Sequence, residues 1–468
     1  MITGKNSPVA SFDTAERLLR NARSLVGFRL NIRPNKSNSR SVKPGRHLPA
    51  LILFCLVGIA PVIAQTNSVD YWAPWVTKTT THSATINWHG DNDGLGLIDY
   101  ATKSYYDENQ SFKTTAAAPT MDAYQHVQLT GLKPDTEYIY RVRPSCNAGA
   151  FGNRSFRTMP VSGPFTFVVI SDSQEGHTYT EAMRFRYVAD AVAKETNVLF
   201  VLHGGDNAGH DSEGLWGKYF AAADKMLAKV AIFPTIGNHE YHNSDGGSNL
   251  PTAAVQYHQA YDVPLHYSFD CSGVRFIILD SPDPASLTNG EFGIAAGGDD
   301  LGDDDPHPSL ALTLSQVPWL KKQLNNNLRG TFTIHHHPIW DEGRTTIDTN
   351  LQPWEVLYHT YKISANFAGH THNYQRYSVQ GIPYFIAGFG GGRCADLSTT
   401  NAVWLQFTET RKLGYIKVTV DPAKNTATAQ EIIAATVQED DSDETPQVYD
   451  PAIPGDTVTF PLRQKRLM

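Results

Sequence analysis

The sequence predicts a layered α/β domain, a β-sandwich flanked by helices, preceded by a small all-β sandwich. Three observations point there. Residues 70–159 are rich in Thr and alternate apolar with polar side chains, as half-buried strands do. Beyond residue 163, short continuous apolar runs take turns with stretches of helical periodicity, the pattern of a sheet covered by helices. The polar residues of that second region cluster where its predicted strands end, the edge where α/β sheets place their chemistry.

In the first region Ala84, Ile86 and Trp88 alternate with Thr85 and Asn87, and Tyr138, Tyr140 and Val142 with Ile139 and Arg141. Between them Leu129 and Leu132 precede a turn at Pro134, and Tyr138 then enters a strand. This resembles the fibronectin type III pattern, a sandwich in which such a Tyr packs at a sheet corner. Phe156, Arg157 and Thr158 would form its closing strand. No catalytic constellation occurs here, so a spacer or shielding role is expected.

Gly163-Pro164 reads as the joint. Strands are expected at 165–170, 198–202, 230–233, 275–279, 331–334 and 383–387. One helix should present Met183, Tyr187, Val188, Ala191 and Val192 on its buried face. A second should present Leu215, Tyr219, Phe220, Ala223 and Leu227, and a third Val317, Leu320, Leu324 and Leu328.

Charge and the ends of the chain set further bounds. Of 39 basic residues, 10 fall in residues 1–64 beside only Asp13 and Glu16, which leaves 29 basic against 45 acidic beyond, a net charge of −16. Such a body lacks the basic footprint of a nucleic-acid binder, so no nucleic-acid partner is expected. Residues 48–64 form an apolar run behind Lys43 and Arg46, interrupted by Pro49, Gly58 and Pro61 and ending in Val62-Ile63-Ala64. The run is short for a membrane span and carries a small-residue cleavage pattern, so it reads as a secretory signal. A secreted or periplasmic protein follows, with no stable membrane association after cleavage. The expected organisation is a basic segment at 1–47, a signal at 48–64 and the all-β domain at 65–160. The α/β domain follows at 161–430, and an acidic extension at 431–468 with a last strand near 457–460. After cleavage Cys146, Cys271 and Cys394 remain, an odd number from which no disulfide is assigned.

The strand ends carry Ser171-Asp172-Ser173-Gln174, Gly205-Asp206-Asn207, Gly237-Asn238-His239-Glu240, His335-His336-His337-Pro338 and Gly369-His370-Thr371-His372. Asp172 to Asp206 is 34 residues and Asp206 to Asn238 is 32, each about one β-α-β repeat. Adjacent strand tips would thus present two carboxylates, an amide and three or more imidazoles. That mixed oxygen and nitrogen set suits two metal ions of the Fe, Mn or Zn kind better than Ca or Mg.

The ordered set resembles the calcineurin-like metallophosphoesterase superfamily and, with the sandwich in front, looks like the purple acid phosphatases. The resemblance implies that Asp172 and His372 hold a first metal, that Asp206 bridges, and that Asn238, His336 and His370 hold a second. It implies a substrate-facing role for His239, which contacts the phosphoryl group or protonates the leaving oxygen. His335 and His337 would be packing or supporting residues. Gln174 stands where many relatives have a ligating His, and its amide oxygen is a further candidate ligand. Gly209 replaces the Tyr ligand that colours the purple enzymes, and Asp341, Glu342 and Arg344 occupy the neighbourhood of a His pair those enzymes carry.

The resemblance implies a metal-dependent phosphoric ester hydrolase. Two divalent or trivalent ions about 3.5–4 Å apart would activate a bridging hydroxide for in-line attack on a phosphomonoester. A phosphodiesterase, or a nucleotide or pyrophosphate hydrolase, is the alternative on the same core. An inert binding or adhesion protein is the alternative of another class. The run 388–393 (Gly-Phe-Gly-Gly-Gly-Arg) reads as a tight turn, and the acidic stretches at 297–306 and 439–444 as solvated loops.

Overall fold

Alternation builds the first domain. In the computed structural model, which describes residues 72–90, 94–144, 150–174, 184–241, 253–286, 306–341, 348–397, 403–437 and 446–462, it contains seven strands and one short helix. These are β1 (Trp72–Thr77), β2 (Ser83–His89), β3 (Leu97–Thr102), α1 (Lys103–Asn109), β4 (Thr114–Ala117), β5 (Tyr124–Thr130), β6 (Glu137–Arg143) and β7 (Arg154–Arg157). Sheet β1-β2-β5 faces sheet β4-β3-β6-β7. Ile86, Trp88 and Val127 of the first meet Ile98, Tyr140, Val142 and Phe156 of the second in one buried cluster. Tyr138 is buried at the start of β6, and the Lys133 N–H donates to its hydroxyl at 2.9 Å, closing the corner. The expected segments 1–47 and 48–64, together with Cys146, Met183, Glu342, Arg344 and residues 297–305 and 439–444, lie outside the described residues.

The second domain begins with β8 (Phe165–Ile170), α2 (Phe185–Val192), β9 (Val198–His203), α3 (Glu213–Leu227) and β10 (Ala231–Pro234). It continues through α4 (Val255–Tyr261), β11 (Tyr267–Cys271), β12 (Val274–Ile278), α5 (Leu310–Leu324), β13 (Gly330–Ile334) and α6 (Gln352–Tyr361). Seven more strands finish it: β14 (Ala365–Ala368), β15 (Tyr374–Val379), β16 (Ile382–Ala387), β17 (Leu405–Glu409), β18 (Lys412–Asp421), β19 (Thr426–Thr436) and β20 (Gln447–Pro461). One sheet runs β10-β9-β8-β18-β19-β20, parallel across β8, β9 and β10 and antiparallel beyond. The other runs β11-β12-β13-β14-β16-β15-β17, parallel from β12 to β16.

A phenylalanine layer joins the two sheets. Phe167 of β8 meets Phe276 at 5.1 Å, Phe332 at 5.5 Å and Phe367 at 6.0 Å between ring centroids, all edge to face. The next residues in β8, Val168 and Ile170, point the other way onto Phe185 and Val188 of α2 and the buried face of α3. Both faces of β8 are therefore covered, which is why it reads as an unbroken apolar run. α3 presents the five residues expected of it, joined by Trp216 and Met226. Its Phe220 also stacks on Trp72 of β1 at 4.9 Å, so the small sandwich grips the larger domain through that helix. The described residues form one compact unit, and none of their helices is long and apolar enough to cross a membrane.

Three expectations are corrected. α2 buries Phe185, Val188, Ala189 and Val192, with Tyr187 and Ala191 only half-buried, because the helix is phased by Phe185. α5 stops at Leu324, so Leu328 belongs to the following turn. Residue 431 falls inside β19, and the strand expected near 457–460 is the end of a fifteen-residue β20 that pairs along β19. β18 fills the middle of the first sheet, and its hairpin partners continue that sheet. Cys271 and Cys394 are both buried.

That C-terminal hairpin carries a testable electrostatic feature. Glu431 is fully buried in β19, and its Oε2 accepts from the Asp456 N–H at 3.0 Å. Burial, reinforced by the Glu409 and Asp456 charges, pushes its carboxyl up to about 7 from the ordinary 4.5. The folded chain therefore binds the extra proton, and this contribution to stability is complete below pH 4.5 and lost as pH rises through 7. Glu431→Gln should flatten the decline over that window by on the order of 3 kcal/mol. Denaturant midpoints at the two ends of the window measure it, and parallel declines in both proteins would show that Glu431 titrates normally.

Candidate metal centre

The ends of β8, β9 and β10 lie side by side in register, and the chain leaves each through a sharp turn. Asp172 and Asp206 make those turns with left-handed backbones, φ 58° and 54°, and His370 after β14 does so at 70°. Non-glycine residues adopt that region at a cost, and such strain gathers at functional sites. The motif glycines make the close approach possible. A Cβ on Gly237 would lie 2.1 Å from Asp206 Oδ1, and one on Gly390 would lie 2.2 Å from the Ser171 carbonyl oxygen. Asp172, Gln174, Asp206, Asn238, His336 and His372 are all buried, and His370 is half-buried.

The structure brings all these expected ligands together. His336 Nε2 lies 2.8 Å from Asn238 Oδ1 and 3.1 Å from Asp206 Oδ2, and His370 Nδ1 lies 3.2 Å from the same Asn238 oxygen. On the other side His372 Nε2 lies 3.4 Å from Asp172 Oδ1 and 3.0 Å from the Gln174 amide, whose Nε2 lies 3.4 Å from Asp206 Oδ2. Asp206 Oδ2 is thus shared by the two groups. Donor atoms of Asp172, Asp206 and His336 all fall within 4.8 Å of one another.

These residues fit metal ions. The His336 Nδ1–H donates to the Gly204 carbonyl at 2.9 Å, which turns Nε2 toward two oxygen acceptors. Such a nitrogen needs either a proton or a cation between it and those oxygens. The His372 Nδ1–H likewise donates to the Arg393 carbonyl at 2.5 Å, so its Nε2 faces Asp172 and Gln174. Gln174 Oε1 is buried without a partner. Turning the amide over would place that oxygen between His372 and Asp206, where a ligand oxygen belongs. Burial alone would raise the Asp206 carboxyl; the His336 and His239 imidazoles outweigh it and hold it well below the ordinary carboxylate range. Burial opposes charge on His336 too, but the Asp206 and Asp172 carboxylates outweigh it and push it up to about 9. Cationic charge is favoured at this point.

The remaining residues divide by role. The His239 Nδ1–H donates to the Gly209 carbonyl at 2.7 Å, and its Nε2 lies 3.9 Å from Asp206 Oδ2. Position 209, which has no side chain to offer a metal, therefore orients His239 through its backbone. His335 packs against Trp354 and Tyr358, and burial holds it down to about 4, neutral and away from the centre. His337 accepts support from Ser281 Oγ at 3.0 Å and lays its ring 4.3 Å from that of His370.

Sequence reasoning missed three supports. Glu240 accepts from the N–H groups of Asp206 at 3.0 Å, Asn207 at 2.7 Å and Gly237 at 2.6 Å, which straps two ligand loops together. Asp341 accepts from Thr371 Oγ1 at 2.5 Å, fixing the residue between His370 and His372. The glycine run is a packing device, in which the Gly390 and Gly392 N–H groups donate to the Ser171 and Asp172 carbonyls at 3.0 and 2.8 Å. Only the carboxylate of Glu240 beside its ligand neighbours hinted at any of this. Glu240→Ala leaves three buried donors unanswered, and should weaken metal affinity by roughly 10- to 100-fold in chelator competition. Unchanged affinity would remove Glu240 from the supporting set.

Comparison with known proteins agrees with this geometry. Residues 165–374 match the model for calcineurin-like phosphoesterases, and residues 62–158 match that for the purple acid phosphatase N-terminal domain. Purple acid phosphatase 21 of Arabidopsis thaliana is 24% identical over 286 residues, covering 57% of this chain and 58% of its own. A purple acid phosphatase of Glycine max is 23% identical over 389 residues, covering 79% and 74%. The chain spans little more than half the length of the first two curated relatives, 58% and 54%. Among solved structures, purple acid phosphatase PPD1 from yellow lupin seeds superposes with a TM-score of 0.60 at 17% identity, covering 84% of this chain and 74% of that one. PhoD superposes with a TM-score of 0.60 at 14% identity, covering 85% and 91%. The chain carries a calcineurin-like metallophosphoesterase domain behind the N-terminal domain of the purple acid phosphatases.

Proposed function

We propose that the chain is an exported binuclear-metal phosphoesterase that hydrolyses phosphomonoesters. The observation that carries the reading is the shared Asp206 oxygen between two groups of buried donors. Asp172, His372 and Gln174 would hold one ion, Asn238, His336 and His370 the other, and Asp206 both. Relatives support the choice of metals and substrate class. One, 25% identical, is named Fe(3+)-Zn(2+) purple acid phosphatase 12, and another, 26% identical, phosphoenolpyruvate phosphatase. Export rests on residues 48–64.

Bound as a pair, the ions would lower the pKa of a water between them and neutralise charge on the phosphoryl group. The chain supplies the rest. Six buried ligands exclude bulk water and hold their donors without rearrangement, which strengthens every electrostatic contact inside. With its Nδ1–H committed to Gly209, His239 can gain or lose a proton only at Nε2, the atom that faces the centre. Protonated there, it donates to the departing oxygen.

Two outcomes follow. Asp206→Ala should lose both metals and all hydrolysis, checked by elemental analysis beside a panel of mono- and diesters; full activity in that variant, or in the chelated protein, would end the binuclear reading. His239→Ala should keep its metals and lose roughly 10²–10⁴-fold in kcat. The loss should be larger for alkyl than for aryl phosphates, whose acidic leaving groups need less help. An equal loss on both would make His239 a phosphate-positioning group.

A further inference from the structure

We infer that the small sandwich is part of the catalytic apparatus: acting through α4 and Asp211, it positions His239. The path starts at the Gly209 carbonyl, which receives the His239 Nδ1–H at 2.7 Å. Gly209 lies in the loop between β9 and α3, and α4 grips that loop at two points. The Asp211 carboxylate accepts from the N–H groups of Val255 at 2.8 Å and Gln256 at 2.7 Å, in the first turn of α4. At the other end of the helix, the Tyr261 hydroxyl accepts from the Asn207 amide at 3.0 Å. Gly209 sits midway between these two fastenings, so its carbonyl has little freedom to turn. Ala254, which precedes α4, offers no side-chain cap, and Asp211 supplies one from 44 residues away.

A helix of seven residues does not hold its place alone, because so few hydrogen bonds barely recover the cost of nucleation. The sandwich holds it. The Tyr124 hydroxyl, at the start of β5, donates to Gln256 Oε1 at 2.7 Å. Lys78, in the turn after β1, donates through Nζ to the Asp262 carbonyl at 2.8 Å and to its carboxylate at 2.6 Å, where α4 ends. Gln256 to Asp262 is six residues, about 9 Å along a helix axis, so the two contacts together resist sliding and rotation. Tyr257 and Tyr261 of α4 are buried in the core that holds Trp72 and Trp75 of β1 as well as α2 and α3. An unbroken path thus runs from the sandwich through α4, Asp211 and the Gly209 carbonyl to an imidazole whose Nε2 lies 3.9 Å from Asp206 Oδ2. Proton donation from Nε2 needs that ring fixed and its Nδ1–H committed elsewhere. The inference rests on the phosphoesterase reading above and gives the sandwich a part in that reaction.

The test uses the zinc-loaded full chain, with p-nitrophenyl phosphate and ethyl phosphate as substrates of good and poor leaving group. Asp211→Ala should lower kcat for ethyl phosphate by about tenfold at unchanged zinc content, and for p-nitrophenyl phosphate by about threefold or less. Asp211→Asn, which keeps one acceptor oxygen, should restore part of the loss. Added to His239→Ala, Asp211→Ala should change neither rate further, since the two residues act as one unit. Histidine-selective NMR reads the same path without turnover. The Nδ1–H signal of His239, identified by its disappearance in His239→Ala, should shift or broaden in Asp211→Ala. Tyr124→Phe combined with Lys78→Ala frees α4 from the sandwich and leaves the loop untouched. That pair should produce the same changes to a smaller extent, because contacts at partly exposed positions are individually weak, and it decides the matter if Asp211→Ala fails to fold. Losses that add to those of His239→Ala, loss of zinc, or an unchanged His239 signal would make Asp211 a structural cap and overturn the inference. So would a double variant at Tyr124 and Lys78 that behaves as the wild type. If the wild type hydrolyses neither substrate, the phosphoesterase reading falls, while the His239 signal still decides the positioning.

Discussion

Everything at the site depends on holding the Asp206 carboxylate, buried and ionised, between two groups of donors. Its backbone is left-handed, at φ 54°, and its side chain touches Gly237 so closely that no Cβ fits there. Two imidazoles, His336 and His239, offset the penalty of burying its charge. Glu240 receives its N–H and those of two neighbouring residues, and so fixes the turn from the opposite side. Burial and then the Asp206 charge push the Glu240 carboxyl up to about 7. Two acids thus share a small buried volume, and cationic partners are what make that tolerable.

The sheets answer this demand with rigidity. The phenylalanine layer around Phe167 locks the two halves of the sandwich, so ligands on β8, β9 and β10 keep their distance from those on β13 and β14. Side chains standing on strand ends need little support from loops. Where a loop does contribute, its position is fixed twice: Asp341 holds Thr371, and the Gly390 and Gly392 amides hold Ser171 and Asp172. Preorganised donors of this kind lower the reorganisation needed when charge develops on a phosphoryl group. The smaller sandwich adds to the same frame, since Trp72 and Trp75 clamp Phe220 of α3, the helix that runs from the Asp206 loop to β10.

Two buried histidines beside the centre carry no charge. His203 is neutral, held down to about 3 by burial, and meets Ser173 Oγ at 2.9 Å. His335 is neutral and packed.

The sequence by itself determined the layer order, the strand ends and the identity of the metal-ligand candidates. Strand runs such as Phe165–Ile170 are covered on both faces and must be apolar throughout, and motif residues follow them at one-repeat spacing. Such signals are local, and they survive without knowledge of the partner strand. What tertiary structure alone decided is everything that depends on who meets whom. The antiparallel β18, β19 and β20 complete the first sheet from the far end of the chain, a pairing that no local period records. The glycine run looked like a turn, because its tight contacts are with Ser171 and Thr371, far away in sequence. Glu240 and Asp341 carry no spacing signal at all. Their meaning lies in burial and in which hydrogen bonds are made or left open, and those exist only once the sheets have closed.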